Sequence, residues 1–400
     1  MYKYRSMLQV PVYLDHNATT PCHPQVVERM LPFFSKWFGN AASHTHSFGW
    51  QAREAVDIAR EQVAALLGSH EQEIIFTSGA TEAVNLAIKG VYERYAGKGN
   101  HIITCVTEHH AVLDTCAHLE KRGARVTYLP VDENGLVDMQ AMQQAIGNDT
   151  ILICIMAANN EIGTLQPVRE IGALARSKGV LFFTDASQAT GKISLHVEND
   201  HIDLLALSAH KFYGPKGVGA LYVRRRGPRV SLTAQIDGGG HERGMRSGTL
   251  NVPGIVGLGE ASSLVARNRE AEMARLQPLR DQLEQALLTM GGCTVNGHPQ
   301  QRLPHMTNIS IAGVDGNALL TRLARHMALS SGSACTSATP EPSYVLKAIG
   351  RSDELAHSSL RMALGYSTTP EEINFAIARI TEAVAELRPG SLAANRGNDT

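Results

Sequence analysis

Seven short apolar runs, at residues 73–77, 101–106, 125–129, 150–157, 180–184, 202–208 and 219–223, alternate with helical patterns at 51–67, 81–95, 111–121 and 168–178. Runs this short and continuous are what strands look like when both faces of a sheet are covered. Strand and helix in alternation predict a mostly parallel α/β sheet. Beyond Pro253 the texture changes. A long helical stretch at 255–288 leads into short strands near 293–296 and 307–311 and helices near 317–326 and 370–387. That reads as a smaller α+β domain at the C-terminal side. The polar end, from Arg388 on, has no periodicity and predicts disorder.

A chain of 400 residues, 43% of them hydrophobic, has ample core for two domains. Its 37 basic and 38 acidic residues leave a net charge of −1, so no basic field argues for nucleic acid or for an anionic membrane. The N-terminal residues lead into no long apolar stretch. The expectation is a cytoplasmic protein without signal peptide or membrane span. Six cysteines, at 22, 105, 116, 154, 293 and 335, contain no close CxxC pair. Reduced thiols fit that spacing better than a disulfide framework or a structural zinc. Arg224-Arg225-Arg226 reads as a solvated strand end.

Chemistry gathers where strands end. Ser208-Ala209-His210-Lys211 closes an apolar run and precedes the turn Phe212-Tyr213-Gly214-Pro215-Lys216-Gly217. A lysine held there, partly desolvated, has an amine free to attack a carbonyl. Thr77-Ser78-Gly79-Ala80-Thr81-Glu82 passes from strand through glycine into helix. It is either an anion site built on free amides and the helix dipole or an ordinary turn with a capping threonine. Asp185 ends a very apolar strand, where a carboxylate needs a cation or a turn to cap. Gln188 lies one loop further on. His109, in Glu108-His109-His110, offers a flat imidazole that can stack and shuttle protons. No HExxH pattern supports a metal there. Asn160 follows the run at 150–157, and Arg361 offers a fork for a carboxylate or else an exposed cation. Cys335 sits among small residues, Ser331-Gly332-Ser333-Ala334-Cys335-Thr336-Ser337, in a loop with room to move, whereas Cys105 and Cys154 fall in apolar strands. Cys22 is the rival thiol on a loop. The glycine patch Gly238-Gly239-Gly240 through Thr249 reads as wrapping a neighbouring subunit or an anion.

Taken in order, from Tyr13-Leu14-Asp15-His16-Asn17-Ala18-Thr19-Thr20 to Leu360-Arg361-Met362-Ala363-Leu364-Gly365, these motifs resemble the cysteine desulfurases. Those are pyridoxal 5'-phosphate enzymes of the class V aminotransferase group with fold type I architecture. The resemblance implies a mostly parallel, seven-stranded-type sheet and four regions. Residues 1–14 pack with a small domain; 15–258 form the large cofactor-binding domain; 259–388 form the small domain bearing the cysteine loop; 389–400 form a tail. It implies a homodimer that converts L-cysteine to L-alanine and leaves a persulfide on the enzyme. The sulfur would go to an iron–sulfur scaffold or another acceptor, including for thiolation of tRNA and cofactors.

The same resemblance implies the residue roles. Lys211 bonds the cofactor's aldehyde and later moves protons at the substrate α-carbon. His109 stacks on the ring and acts in acid–base steps, Asp185 holds the pyridinium, and Gln188 bonds the ring oxygen. Ala80, Thr81, Ser208 and His210 hold the phosphate, joined by Thr249 from the partner subunit. Asn160, among the cofactor contacts, and Arg361 hold the substrate carboxylate. Cys335 takes the sulfur and is a candidate transient iron–sulfur ligand. The competing readings are a selenocysteine lyase or aminotransferase on the same fold, and a non-catalytic sulfur-binding partner.

Overall fold

The computed structural model describes residues 8–331 and 341–388. Its strands in chain order are β1 (Val12–Tyr13), β2 (Ile74–Thr77), β3 (His101–Cys105), β4 (Arg125–Leu129), β5 (Thr150–Cys154), β6 (Leu181–Asp185), β7 (Leu204–Ser208), β8 (Gly219–Val223), β9 (Cys293–Val295), β10 (Met306–Ile311), β11 (Met327–Ala328) and β12 (Ser359–Ala363). Seven of them form one sheet in the order β2-β8-β7-β6-β5-β3-β4. Only β8 runs against its neighbours, so β2, β3, β4, β5, β6 and β7 all point the same way. Every residue of β2, β3, β5, β6, β7 and β8 is buried. That is why these segments lack polar alternation: one apolar cluster lies on each face of the sheet.

The helix Val252–Leu288 runs for 37 residues out of this layer. It starts ahead of the sequence expectation because Asn251 caps it and Pro253 sits in its first turn, where a missing N–H costs nothing. The helix Ser47–Leu67 likewise begins four residues early, at a cap supplied by the His46 ring. The far half of Val252–Leu288, through Leu276, Leu283 and Leu287, shares a separate apolar cluster with Ile309, Leu360 and Ile380. Two small sheets lie there, the antiparallel β12-β10-β9 and the parallel pair β1-β11. Val12 and Leu14 belong to the same cluster. Strand β12 was not foreseen, because Arg361 interrupts its apolar pattern; the arginine is 1% exposed.

One basic residue departs from expectation. Arg224 is not a solvated strand end. It is buried and donates to the carbonyls of Val197 and Ile202 and to the Glu198 carboxylate, while Arg226 is exposed. Among the described residues, no helix is long and apolar enough to cross a membrane.

The glycine patch is fixed by a buried ion pair. Arg60 donates at 2.8 and 2.7 Å to Glu242, which also accepts from the Phe76 amide at 2.8 Å. Replacing Arg60 by methionine leaves that carboxylate buried without its cation, a loss of about 3–5 kcal/mol. A denaturant midpoint well below that of the parent is expected, with most of the loss recovered in Arg60→Met/Glu242→Leu.

Candidate active site

Because the strands are parallel, their carboxyl ends share one edge, and the loops that leave them enclose a cleft of about 590 Å³. Loop by loop, β2 delivers Gly79, Ala80 and Thr81, β3 delivers His109, β5 delivers Asn160, β6 delivers Asp185 and Gln188, and β7 delivers Ser208, His210 and Lys211. Arg361 reaches the same cleft from β12, and the segment Asn17, Ala18 and Thr19 closes it. Ten of the residues named from sequence therefore line one cavity: Lys211, His109, Ala80, Thr81, Asn160, Asp185, Gln188, Ser208, His210 and Arg361. Thr249 does not line the cleft and is exposed. Cys335 lies outside the described residues, as do residues 389–400.

Lys211 ends a single helical turn, Ala209–Lys211. Its Nζ donates to the carbonyls of Asn17 at 2.7 Å and Ala18 at 2.8 Å. In the sequence this segment stands out only as part of a family pattern. Nothing in it marks Asn17 as a hub, since Asn17 and Lys211 are 194 positions apart. The Asn17 carbonyl also accepts from Gln188 Nε2 at 2.9 Å. Its side chain donates to the Asn160 carbonyl at 3.2 Å and pairs with the His305 ring at 2.9 Å.

One end of the cleft suits an anion. The helix Ala80–Arg94 starts at Gly79 with no side-chain cap, so its first amides have no side-chain acceptor there. Gly219 of β8 must lack a side chain: a Cβ there would lie 2.8 Å from the Gly79 Cα. His210 stands alongside, its Nδ1 3.1 Å from the Thr19 hydroxyl, and burial followed by Lys211 and Lys216 holds its pKa down to about 4.

The floor suits a protonated ring nitrogen. Asp185 accepts the Ser187 amide at 2.9 Å and the Ser187 hydroxyl at 2.6 Å, both on Oδ1. Among the described residues its hydrogen bonds engage no other oxygen, which leaves Oδ2 for a partner in the cleft. Above it, His109 Nδ1 caps the helix His110–Glu120 by accepting from the Ala111 amide at 3.0 Å. The Nδ1 lone pair is thereby used, so the neutral ring carries its proton on Nε2. Burial lowers the His109 pKa, with Asp185 opposing and Lys211 reinforcing. Glu108, fully buried with its pKa raised by burial, accepts from the Met156 amide at 2.7 Å.

The side wall suits a carboxylate. Arg361 Nη2 pairs with Asp15 at 2.8 Å and Nη1 donates to the Asn160 carbonyl at 3.1 Å. Arg361 Nε and Asn160 Oδ1 are buried without a hydrogen-bond partner among the described residues. Turning the Asn160 amide would present an N–H beside the guanidinium. A nucleophilic amine, a lone carboxylate oxygen, an anion cradle and an unused guanidinium N–H thus fit pyridoxal phosphate together with an amino-acid carboxylate. The described thiols do not compete: Cys105 and Cys154 are buried with raised pKa values, Cys105 at about 11, Cys116 is pushed up to about 12, and Cys22 and Cys293 are raised by burial. No group of three or more His, Cys, Asp or Glu among the described residues could hold a metal.

Residues 12–375 match the family model described as aminotransferase class-V. The chain is 53% identical over 381 residues to the cysteine desulfurase IscS of Methylococcus capsulatus, covering 95% of this chain and 94% of the relative. It is 52% identical over 383 residues to the cysteine desulfurase IscS of Klebsiella pneumoniae, covering 95% and 94%. Among solved structures, a NifS-like protein superposes with a TM-score of 0.88 at 36% identity, covering 94% of this chain and all of that one. A structure described as SspA in complex with cysteine gives 0.78 at 37% identity, covering 88% and 98%.

Beside Asn160, Glu161 is buried and its pKa is pushed up to about 7 by burial, with Ser343 and Arg361 opposing. Its proton is therefore kept on folding, and the wild type loses stability as pH rises from the ordinary glutamate value of 4.5 to about 7. Glu161→Gln removes that loss. The variant is expected to gain about 3 kcal/mol relative to the parent between pH 4.5 and pH 8, read from unfolding midpoints at both ends.

Proposed function

The chain belongs to the cysteine desulfurases within the class-V aminotransferase family, and on that premise we propose the division of labour among its residues. It is a cysteine desulfurase, and we infer that the sulfur it mobilises serves iron–sulfur assembly. Its net reaction moves the sulfur of L-cysteine onto an enzyme thiol, giving L-alanine and a persulfide. Pyridoxal phosphate, when bound, supplies an electron sink for the bonds broken at the substrate α-carbon.

Lys211 would hold the cofactor through Nζ, and its amine would carry a proton to and from the substrate α-carbon. The carbonyls of Asn17 and Ala18 keep the amine aimed into the cleft. Asp185 holds the proton on the ring nitrogen through its unused oxygen. His109, neutral with its proton on Nε2, would stack on the ring and exchange protons. The first amides of Ala80 and Thr81, with Ser208 and His210, hold the phosphate. Arg361 and Asn160 hold the substrate carboxylate. Cys335 is the thiol that accepts the sulfur and passes it to a scaffold or another acceptor protein. The observation that carries this reading is the convergence of Lys211, the half-used Asp185 and the uncapped helix start in one cleft.

A second copy of the chain completes it. Val27, Leu31, Phe34, Phe38, Phe48 and Trp50 form an exposed apolar belt, with Phe34 at 62% and Phe38 at 64%. Large apolar side chains exposed together suit an interface. Its helices pack on the start of Val252–Leu288, just beyond the exposed Thr249, which suits a threonine that serves the neighbour's cleft. The cytoplasm, where thiols stay reduced, suits a chain whose five described cysteines are all free.

Borohydride treatment followed by peptide mass spectrometry is expected to find cofactor on Lys211, and cysteine addition to find extra sulfur on Cys335. Lys211→Ala should lose both; Cys335→Ala should keep the cofactor and release no alanine. A chain that traps no cofactor, or a Cys335→Ala variant with unchanged sulfur transfer, overturns the assignment. Arg361→Lys, losing the fork, is expected to raise KM for cysteine more than tenfold with a smaller change in kcat.

A further inference from the structure

A second lysine lies behind the cleft. Lys192 follows the turn after β6, is 7% exposed, and its Nζ donates to Gln188 Oε1 at 3.0 Å. Among the described residues it forms no ion pair. The charged and titratable groups that face it are Lys211 and His210 from the lysine turn, Arg361 from β12, Glu272 from the long helix, His16 from the segment after β1 and His305 before β10. A buried ammonium beside an amide, with two cations near, is an expensive arrangement. Burial first, then Lys211, pulls its pKa down to about 7.

The arrangement has a geometric consequence for Gln188. A lysine amine donates in either protonation state, so the amide oxygen of Gln188 is engaged on the Lys192 side. Both amide protons then belong to the other side. One goes to the Asn17 carbonyl at 2.9 Å, the carbonyl that also accepts Lys211 at 2.7 Å. The other remains for the cleft that Gln188 lines. Donation into the amide oxygen also polarises the amide and makes its N–H a stronger donor.

We propose that Lys192 is a positioning residue for the reaction: it fixes and polarises the Gln188 amide so that a strengthened N–H faces the cleft where the cofactor's ring oxygen is received. This rests on the reading of Lys211 and Gln188 given under Proposed function. A stronger donor to that oxygen favours its deprotonated form, and so lowers the pH at which the lysine-linked cofactor loses its proton. Removing Lys192 raises that pH.

The test is a pH titration of the visible absorption band of the cofactor-loaded protein. Lys192→Met is expected to raise the midpoint by about one pH unit, a tenfold change. In a Gln188→Ala background the same substitution is expected to move it by much less, because the amide it acts through is gone. An unmoved midpoint in Lys192→Met, or an equal shift in both backgrounds, overturns the proposal. Should Lys192→Met fail to fold, Lys192→Gln decides the point. It keeps an uncharged N–H for Gln188, so its midpoint should stay near the parent's, and a full-unit rise assigns the effect to charge alone and overturns the proposal. Failure of the parent to trap cofactor on Lys211 under borohydride is a separate result, and it removes the functional reading instead.

Discussion

Two backbone carbonyls gripping one amine organise this molecule. The Lys211 Nζ is held by Asn17 and Ala18, and the segment that presents those carbonyls runs from β1 toward the cleft. Val12 and Leu14, just upstream, are embedded in the cluster built around the far half of the long helix. Thr20, just downstream, donates through its amide and its hydroxyl to the His210 carbonyl. A stretch of about nine residues thus pins the lysine turn of the large sheet to the packing of the C-terminal layers. Loss of that packing would loosen the carbonyls that aim the lysine, so reactivity and tertiary packing are not separable here.

The electrostatics follow from taking titratable groups out of water and pairing only some of them. Glu108 and Glu161 are pushed up by burial, while His109, His210, His16 and Lys192 are pushed down. Burial favours the neutral form of each, so the walls of the cleft hold protons or lone pairs more than charge. Two other groups of the cleft are placed by hydrogen bonds: Asp185, whose Oδ1 accepts from Ser187, and Arg361, paired with Asp15. A chemistry that passes protons along a lysine and an imidazole needs this economy, because each stray charge would bias the neighbouring pKa values.

The large sheet was legible because its physics is local. A strand covered on both faces shows as an unbroken apolar run, and all seven runs became the seven strands. Helix starts were misplaced by a few residues where an atypical cap, the His46 ring, or a first-turn Pro253 set the boundary. Strand β12 and Arg224 were missed for one reason: a buried arginine satisfied by carbonyls and carboxylates looks, in sequence, like an exposed one. The loop ends bearing Lys211, Asp185, His109 and Gly79 could be found because each follows a strand. Asn17 and Lys192 could not, since their roles exist only in partners 143 to 289 positions away for Asn17, and for Lys192 in a burial that no pattern announces.

The same logic of distant anchoring bears on residues 332–340, where Cys335 lies outside the described residues. The chain enters that segment from Ser330, whose amide and carbonyl bond the backbone of Arg361 and whose hydroxyl donates to Asp15 at 2.8 Å. It leaves the segment shortly before Ser343, whose hydroxyl caps the helix Tyr344–Ala348 and donates to Glu161 at 2.5 Å. One anchor is therefore tied to the arginine assigned to the substrate carboxylate, and the other to the neighbour of Asn160, assigned to the same task. Asp15 reinforces the first anchor, because one of its oxygens accepts from Arg361 and the other from Ser330. A carboxylate arriving at Arg361 meets the Nε that the described residues leave without a partner, beside the Nη2 already paired with Asp15. The arginine assigned to the substrate and the footing at Ser330 thus share one carboxylate, so the side wall of the cleft and the point where the described chain breaks off are held by the same group.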